Sequence, residues 1–195
     1  MERPILREQT PTEYFKELVE SALVRQHVQA TDLTEYYLVN LLCQYVRLDP
    51  AVHVEHGEPL AVRLARALQS GGLEQRTRLR SLADFSLFTA GFFSDSFNRR
   101  HVDVDYYVSM GEYAYGSLSR AEDAFRDVFA ELATRFVSFS DVLADISERT
   151  TLGSSRNDLL RLYEKWLRTG SQRDGQRLIE RGVVPNSSVG KRFLQ

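Results

Sequence analysis

Cysteine is almost missing from this chain: Cys43 stands alone among 195 residues. An internal disulfide and any cysteine-rich zinc module are thereby excluded. Histidine is sparse as well, and none of His27, His53, His56 and His101 has a glutamate three residues before it. The paired Glu-x-x-His helices of a ferritin-like di-metal centre are therefore not available. No His-Glu-x-x-His helix, adjacent His-Asp pair or Gly-x-Ser-x-Gly elbow occurs, so the common signatures of zinc proteases, metal-dependent phosphohydrolases and serine hydrolases are absent. Long apolar runs are missing too: nothing reaches 18 uninterrupted apolar residues, and the opening MERPILREQTPTEY lacks the apolar segment of a secretory signal. The expectation is a cytoplasmic protein with no membrane partner. Lysine numbers three against 22 arginines, an imbalance read as compositional bias rather than chemistry. No β-branched run alternates with period 2 and no segment repeats at a fixed period, which argues against sheets and solenoids.

What is present is ordinary globular material. Hydrophobic residues make up 43% and charged residues 27%, a balance that does not suit a disordered chain. At this length a single domain buries roughly 70% of its unfolded surface. The fold class expected is all-α, a compact single-domain bundle of about eight helices. Charge is uneven, because residues 151–195 hold nine of the 25 basic and only four of the 27 acidic residues. Such a split marks either an anionic partner or an internal contact between a basic unit and an acidic body. The internal or merely solvated reading is preferred, since basic tails that bind nucleic acid carry denser runs. Residues 1–150 are expected to form the main helical body, and 151–195 a basic helical hairpin and flexible tail packed on the same domain.

Helix signals punctuate the chain. Thr10, Pro11 and Glu13 supply a cap, a first-turn proline and a capping box, predicting a helix from about 11 to 28 that buries Tyr14, Phe15, Leu18, Val19 and Ala22. Asp32 with Glu35 is expected to cap a second helix, TEYYLVNLLCQYVRL, which is apolar almost all round and so reads as central; Asp49-Pro50 ends it. Leu60, Leu64 and Leu68 mark a third helix, closed by Ser70-Gly71-Gly72 with a glycine ready for a left-handed cap. Residues 73–97 predict a long helix with Leu79, Leu82, Phe85, Phe88, Phe92 and Phe93 on one side and a bend near Gly91. The stretch VDVDYYV alternates like a strand, but Tyr107, Met110, Ala114 and Leu118 continue it at helical spacing, so a helix capped by Asp103 or Asp105 is preferred. Ser119 and Glu122 are expected to box the start of a helix that buries Phe125, Val128, Leu132 and Phe136, with Ser138 or Ser140 opening a short helix to Ser147. Beyond the linker TTLGSSRN lie helices at 157–168 and 172–181, docked on the body by Trp166 with Leu159, Leu160 and Tyr163.

Residues 85–118 hold nine of the chain's 21 aromatics. Among them, Asp95, Arg99, Arg100, His101, Asp103, Asp105, Tyr106 and Tyr107 converge on one connection between helices and form the candidate ligand-binding set. Arginine clamps phosphate or carboxylate, aspartates hold a cation and a tyrosine orients a ligand. The same charges also suit helix ends, where arginine completes a C-terminus and aspartate caps the next N-terminus, and an aromatic stripe suits a core. The structural reading is preferred, no catalytic residue is assigned, and no metal or cofactor is expected. His53 and His56 in HVEHGE lack a third ligand. PNSSVGKR lacks the first glycine and the serine or threonine of a phosphate loop. Cys43 reads as a buried structural thiol.

The segment SLFTAGFFSDSFNRRHVDVDYYVSMGEYAYGSLS resembles a family of bacterial all-helical proteins to which no activity is assigned, over about residues 80–120. The resemblance implies a bacterial origin and carries no catalytic residue across. Three functions remain. The leading one is a non-enzymatic helical binding or adaptor protein with a protein partner or a homodimer, exposing apolar positions along the second helix or the 107–118 helix. The second is a small-molecule- or metal-binding activity centred on the 95–107 turn. The third is nucleic-acid binding through the basic C-terminal region, a partner not favoured here.

Overall fold

The structure, a computed structural model, describes residues 10–47, 58–92, 104–150 and 165–180. Among the described residues eight helices run in the order α1 (Pro11–Arg25), α2 (Asp32–Arg47), α3 (Leu60–Gln69), α4 (Gly72–Phe92), α5 (Val104–Leu118), α6 (Arg126–Thr134), α7 (Phe136–Thr150) and α8 (Gln172–Glu180). A helical turn at 165–169 precedes α8, and no described residue is in a strand. One apolar core unites α1 to α7. The all-α, single-domain architecture read from the sequence is the one observed.

The centre belongs to α4 and not, as the apolar sequence of α2 suggested, to α2. From Leu82 to Gly91 every residue of α4 except Phe85 is buried, and the helix packs against α2, α3, α5 and α7. Two glycines set these distances. A Cβ on Gly91 would stand 2.5 Å from the Leu143 Cβ and 2.9 Å from the Ser140 carbonyl oxygen of α7. A Cβ on Gly111 of α5 would run into the buried ring of Phe136. Gly91 thus marks a close helix crossing.

Helix ends follow local chemistry, with some corrections. The α1 capping box forms as expected: the Glu13 N–H donates to Thr10 Oγ1, and Glu13 Oε2 accepts from the Thr10 N–H at 2.9 Å. Its far end is a Schellman motif, in which the Val28 N–H reaches the Leu23 carbonyl at 2.9 Å and the His27 N–H that of Val24 at 3.2 Å. His27 takes the left-handed position at φ 53°, which glycine occupies without strain. His27→Gly is expected to stabilise the protein by about 1 kcal/mol, read as a higher denaturation midpoint.

The cap of α2 is Thr31, one residue before the expected Asp32: the Thr34 N–H donates to Thr31 Oγ1 at 3.2 Å. Glu131 of α6 accepts from Thr34 Oγ1 at 2.7 Å, fastening this cap across the fold. The box expected at Ser119 and Glu122 does not form. Ser119 donates back to the Gly116 carbonyl at the end of α5, and Asp123 accepts from the Phe125 N–H at 2.8 Å to lead into α6. The helix expected to run through Phe136 bends at Arg135, while helical bonds continue through the bend from the Arg135 N–H to Glu131 and from the Phe139 N–H to Arg135. Arg135 donates from its side chain to the Gln29 carbonyl and to Glu131, which ties the bend to the α1–α2 connection. Gly72 holds the left-handed conformation after α3 at φ 57°, but as the first residue of α4 rather than the cap of α3.

Cys43 is buried, as expected, with its Sγ 4.0 Å from Thr12 Oγ1. Among the described residues no helix is long and apolar enough to cross a membrane.

Candidate functional site

Of the eight candidate residues, Asp95, Arg99, Arg100, His101 and Asp103 lie outside the described residues, as do His53, His56 and the PNSSVGKR stretch. Asp105, Tyr106 and Tyr107 form the first turn of α5. Both tyrosines serve helix packing. The α3 N-terminus follows Pro59, which has no side chain able to cap it, and the Tyr106 hydroxyl fills that role by accepting from the Ala61 N–H at 2.7 Å. The Tyr107 ring meets Tyr106 edge-on at 5.8 Å and leans on Phe85 at 6.3 Å. Asp105 is partly buried, and burial raises its carboxyl above the ordinary value.

The most concentrated buried chemistry lies instead at a carboxylate that the sequence reading passed over, Asp84 in the middle of α4. Its Oδ1 accepts from the Tyr37 hydroxyl of α2 at 2.6 Å and from the Tyr115 hydroxyl of α5 at 2.8 Å. Arg80, one turn earlier, places Nε 3.1 Å from the Tyr37 oxygen, to which it donates, and 3.7 Å from Asp84 Oδ2. The guanidinium also lies over the Tyr37 and Phe125 rings, at 5.0 and 5.6 Å. A carboxylate so deeply buried is tolerable only because it accepts several hydrogen bonds and faces a cation.

Desolvation raises the Asp84 carboxyl, while the two phenols and Arg80 pull it back. Burial and the adjacent carboxylate push both phenols upward, so Tyr37 and Tyr115 stay neutral donors. Only Arg80 reaches solvent substantially, with its side chain 43% exposed. Asp84, Tyr37 and Tyr115 are thus spent on one another, and the group joins α2, α4 and α5 at fixed register. One signal for it was in the sequence: an aspartate inside the apolar stretch SLADFSLF, with an arginine four residues before it.

A second charged group sits where the C-terminal segment meets α7. Ser171 donates to both oxygens of Asp141, at 2.7 and 2.8 Å, and accepts from the Asp174 N–H at 3.1 Å as the cap of α8. Lys165 stands 3.1 Å from Asp174, and both Arg173 and Arg177 pair with Glu148. The Trp166 indole lies against Gly175, where a Cβ would come within 3.0 Å of Nε1, so the tryptophan braces α8. Among the described residues no group of three or more histidine, cysteine, aspartate or glutamate side chains is placed to hold a metal ion.

Set against protein-family models, curated proteins and solved structures, the chain matches none of them.

Proposed function

We propose that this protein is a non-enzymatic helical binding module that associates through the outer face of α3. The observation that supports it is the mismatch between the apolar circumference of that helix and the part its neighbours cover. Leu60 and Ala67 are buried and Leu64 is partly so, yet Ala61, Val62, Ala65 and Leu68 are exposed next to them. Across the following turn Leu73 is 78% exposed. An apolar arc left open on a helix is the surface that helix-to-helix recognition uses. Isolated exposed positions also occur on the two helices where they were expected, Leu33 and Tyr36 on α2 and Tyr113 on α5, but none of these forms so continuous an arc.

The first partner to test is a second copy, since a two-fold contact lets one patch cover itself. Sedimentation velocity across the micromolar range should show a dimer that grows with concentration. The double variant Val62→Lys and Leu68→Lys should stay monomeric with unchanged helicity and melting temperature. A wild-type protein that remains monomeric throughout sinks the reading. The nucleic-acid alternative draws less support, because Lys165, Arg173 and Arg177 are already paired with carboxylates of the same chain.

A further inference from the structure

We propose that α8 is a proton-linked latch, docked on α7 through Asp141 and held more firmly when Asp141 takes up a proton. The geometry is that of one serine joining the Asp141 carboxylate to the backbone of the residue that carries a second buried carboxylate, Asp174. Ser171 spends its hydroxyl proton on Asp141 and its oxygen on the backbone of Asp174, which brings both acids to the same end of α8. Both are nearly sealed from water, at 6% and 1% exposure.

The charges facing Asp141 are Asp174 and Arg173 from α8 and Lys165 from the preceding turn. On α7 itself, Glu148 is occupied by Arg173 and Arg177, and Asp145 is taken by Arg25 of α1, by Gln26 just after it and by Arg149. The α4 end of the interface contributes Gly91 and the Phe92 carbonyl, neither of which titrates. Compensation inside the cluster is ionic: Lys165 stands 3.1 Å from Asp174, and Arg173 is drawn to Glu148 while lying 3.8 Å from Asp174. A buried carboxylate with a like charge beside it favours its neutral form.

Burial, with Asp174 adding to it, pushes the Asp141 carboxyl up to about 6 from 3.8, against the hydroxyl of Ser171 and the two cations. The sign follows from linkage. The docked state binds the proton more tightly than the undocked one, so docking gains as pH falls through the raised value and loses as pH rises through it. Between pH 7 and pH 5 those two values correspond to a roughly tenfold change in the docking constant. A nine-residue helix does not persist alone in water, so an undocked α8 loses its amide protection.

Hydrogen exchange of the whole protein, corrected for intrinsic rates, reads the latch directly. Amides of 172–180 should gain roughly tenfold in protection from pH 7 to pH 5, while those of α4 do not follow. Asp141→Asn should abolish the pH dependence. Ser171→Ala removes the bond that favours ionised Asp141, so it should weaken docking more at pH 7 than at pH 5. Protection of α8 that is flat with pH in the wild type overturns the proposal, as does a tenfold change that survives in Asp141→Asn. If Asp141→Asn fails to fold, an equal loss at both pH values in Ser171→Ala overturns it as well.

Discussion

Gly91→Ala should destabilise the protein by about 2 kcal/mol, although alanine is the better helix former by about 1 kcal/mol. Steric crowding decides the sign. The new methyl group would meet the Leu143 Cβ at 2.5 Å and the Ser140 carbonyl oxygen at 2.9 Å, and both atoms are fixed to the α7 backbone. No side-chain rotation relieves either contact, so α4 and α7 must separate where both helices are buried. Overpacking of this kind costs about 1–3 kcal/mol and occasionally more. Since α4 also packs on α5 and α3, the upper part of that range is expected before the propensity gain is subtracted. For a chain of this size the loss corresponds to a fall in melting temperature of roughly 4–8 °C.

Gly116→Ala is the internal control. There the nearest atom is the Ala133 Cβ at 4.0 Å, and propensity acts alone to stabilise by about 0.5–1 kcal/mol. Opposite signs for two glycine-to-alanine changes in neighbouring helices, measured by urea denaturation, would establish the close crossing. A stabilising Gly91→Ala would refute it.

Asp84→Ala should cost about 3 kcal/mol. The substitution removes a small side chain, but it leaves the hydroxyls of Tyr37 and Tyr115 without their acceptor, and the two tyrosines are 3% and 0% exposed. An unsatisfied buried hydroxyl costs about 1–3 kcal/mol. Arg80 moderates the total, since its side chain is 43% exposed and its charge turns to water. Asp84→Asn should cost less, because a carbonyl oxygen still accepts from the phenols.

A double-mutant cycle between Asp84→Ala and Tyr37→Phe isolates the interaction and should return a coupling of at least 1 kcal/mol. Additive single effects, or an Asp84→Ala protein as stable as the wild type, would show that the three helices are not joined through this carboxylate.

How much of this was legible in advance depended on the reach of each interaction. The α1 cap was readable because Thr10, Pro11 and Glu13 lie within four residues and satisfy one another. The helical nature of α5 was readable from the spacing of Tyr107, Met110, Ala114 and Leu118, even though VDVDYYV imitates a strand. The Arg135 bend carried no signal, since neither glycine nor proline stands there and helical bonding continues through it. The α2 cap slipped by one residue because Thr31 and Asp32 are both good caps; Thr31 takes the place with Glu131, 100 residues away, bound to it. The Asp84 group left only a local hint, an aspartate in an apolar stretch, because its tyrosine partners lie 47 and 31 residues away. At the candidate turn, Tyr106 and Tyr107 are used in packing, through contacts with Ala61 and Phe85 that lie 45 and 22 residues back in the chain and so leave no local signal.

The ion pair between Arg25 of α1 and Asp145 of α7 spans 120 residues, and it orders events in time. α1 leaves the ribosome 120 residues ahead of that partner, with a complete cap but without α7 to lie on. At about 5–20 residues per second, its partner helix follows roughly 6–24 seconds later. During that interval Phe15, Val19 and Leu23 face water or the early contact with α2, and closure of the bundle cannot precede the synthesis of α7. Until α7 emerges this face of α1 stays open to aggregation and to chaperones, and a fragment ending before α7 should not hold its first helix in place.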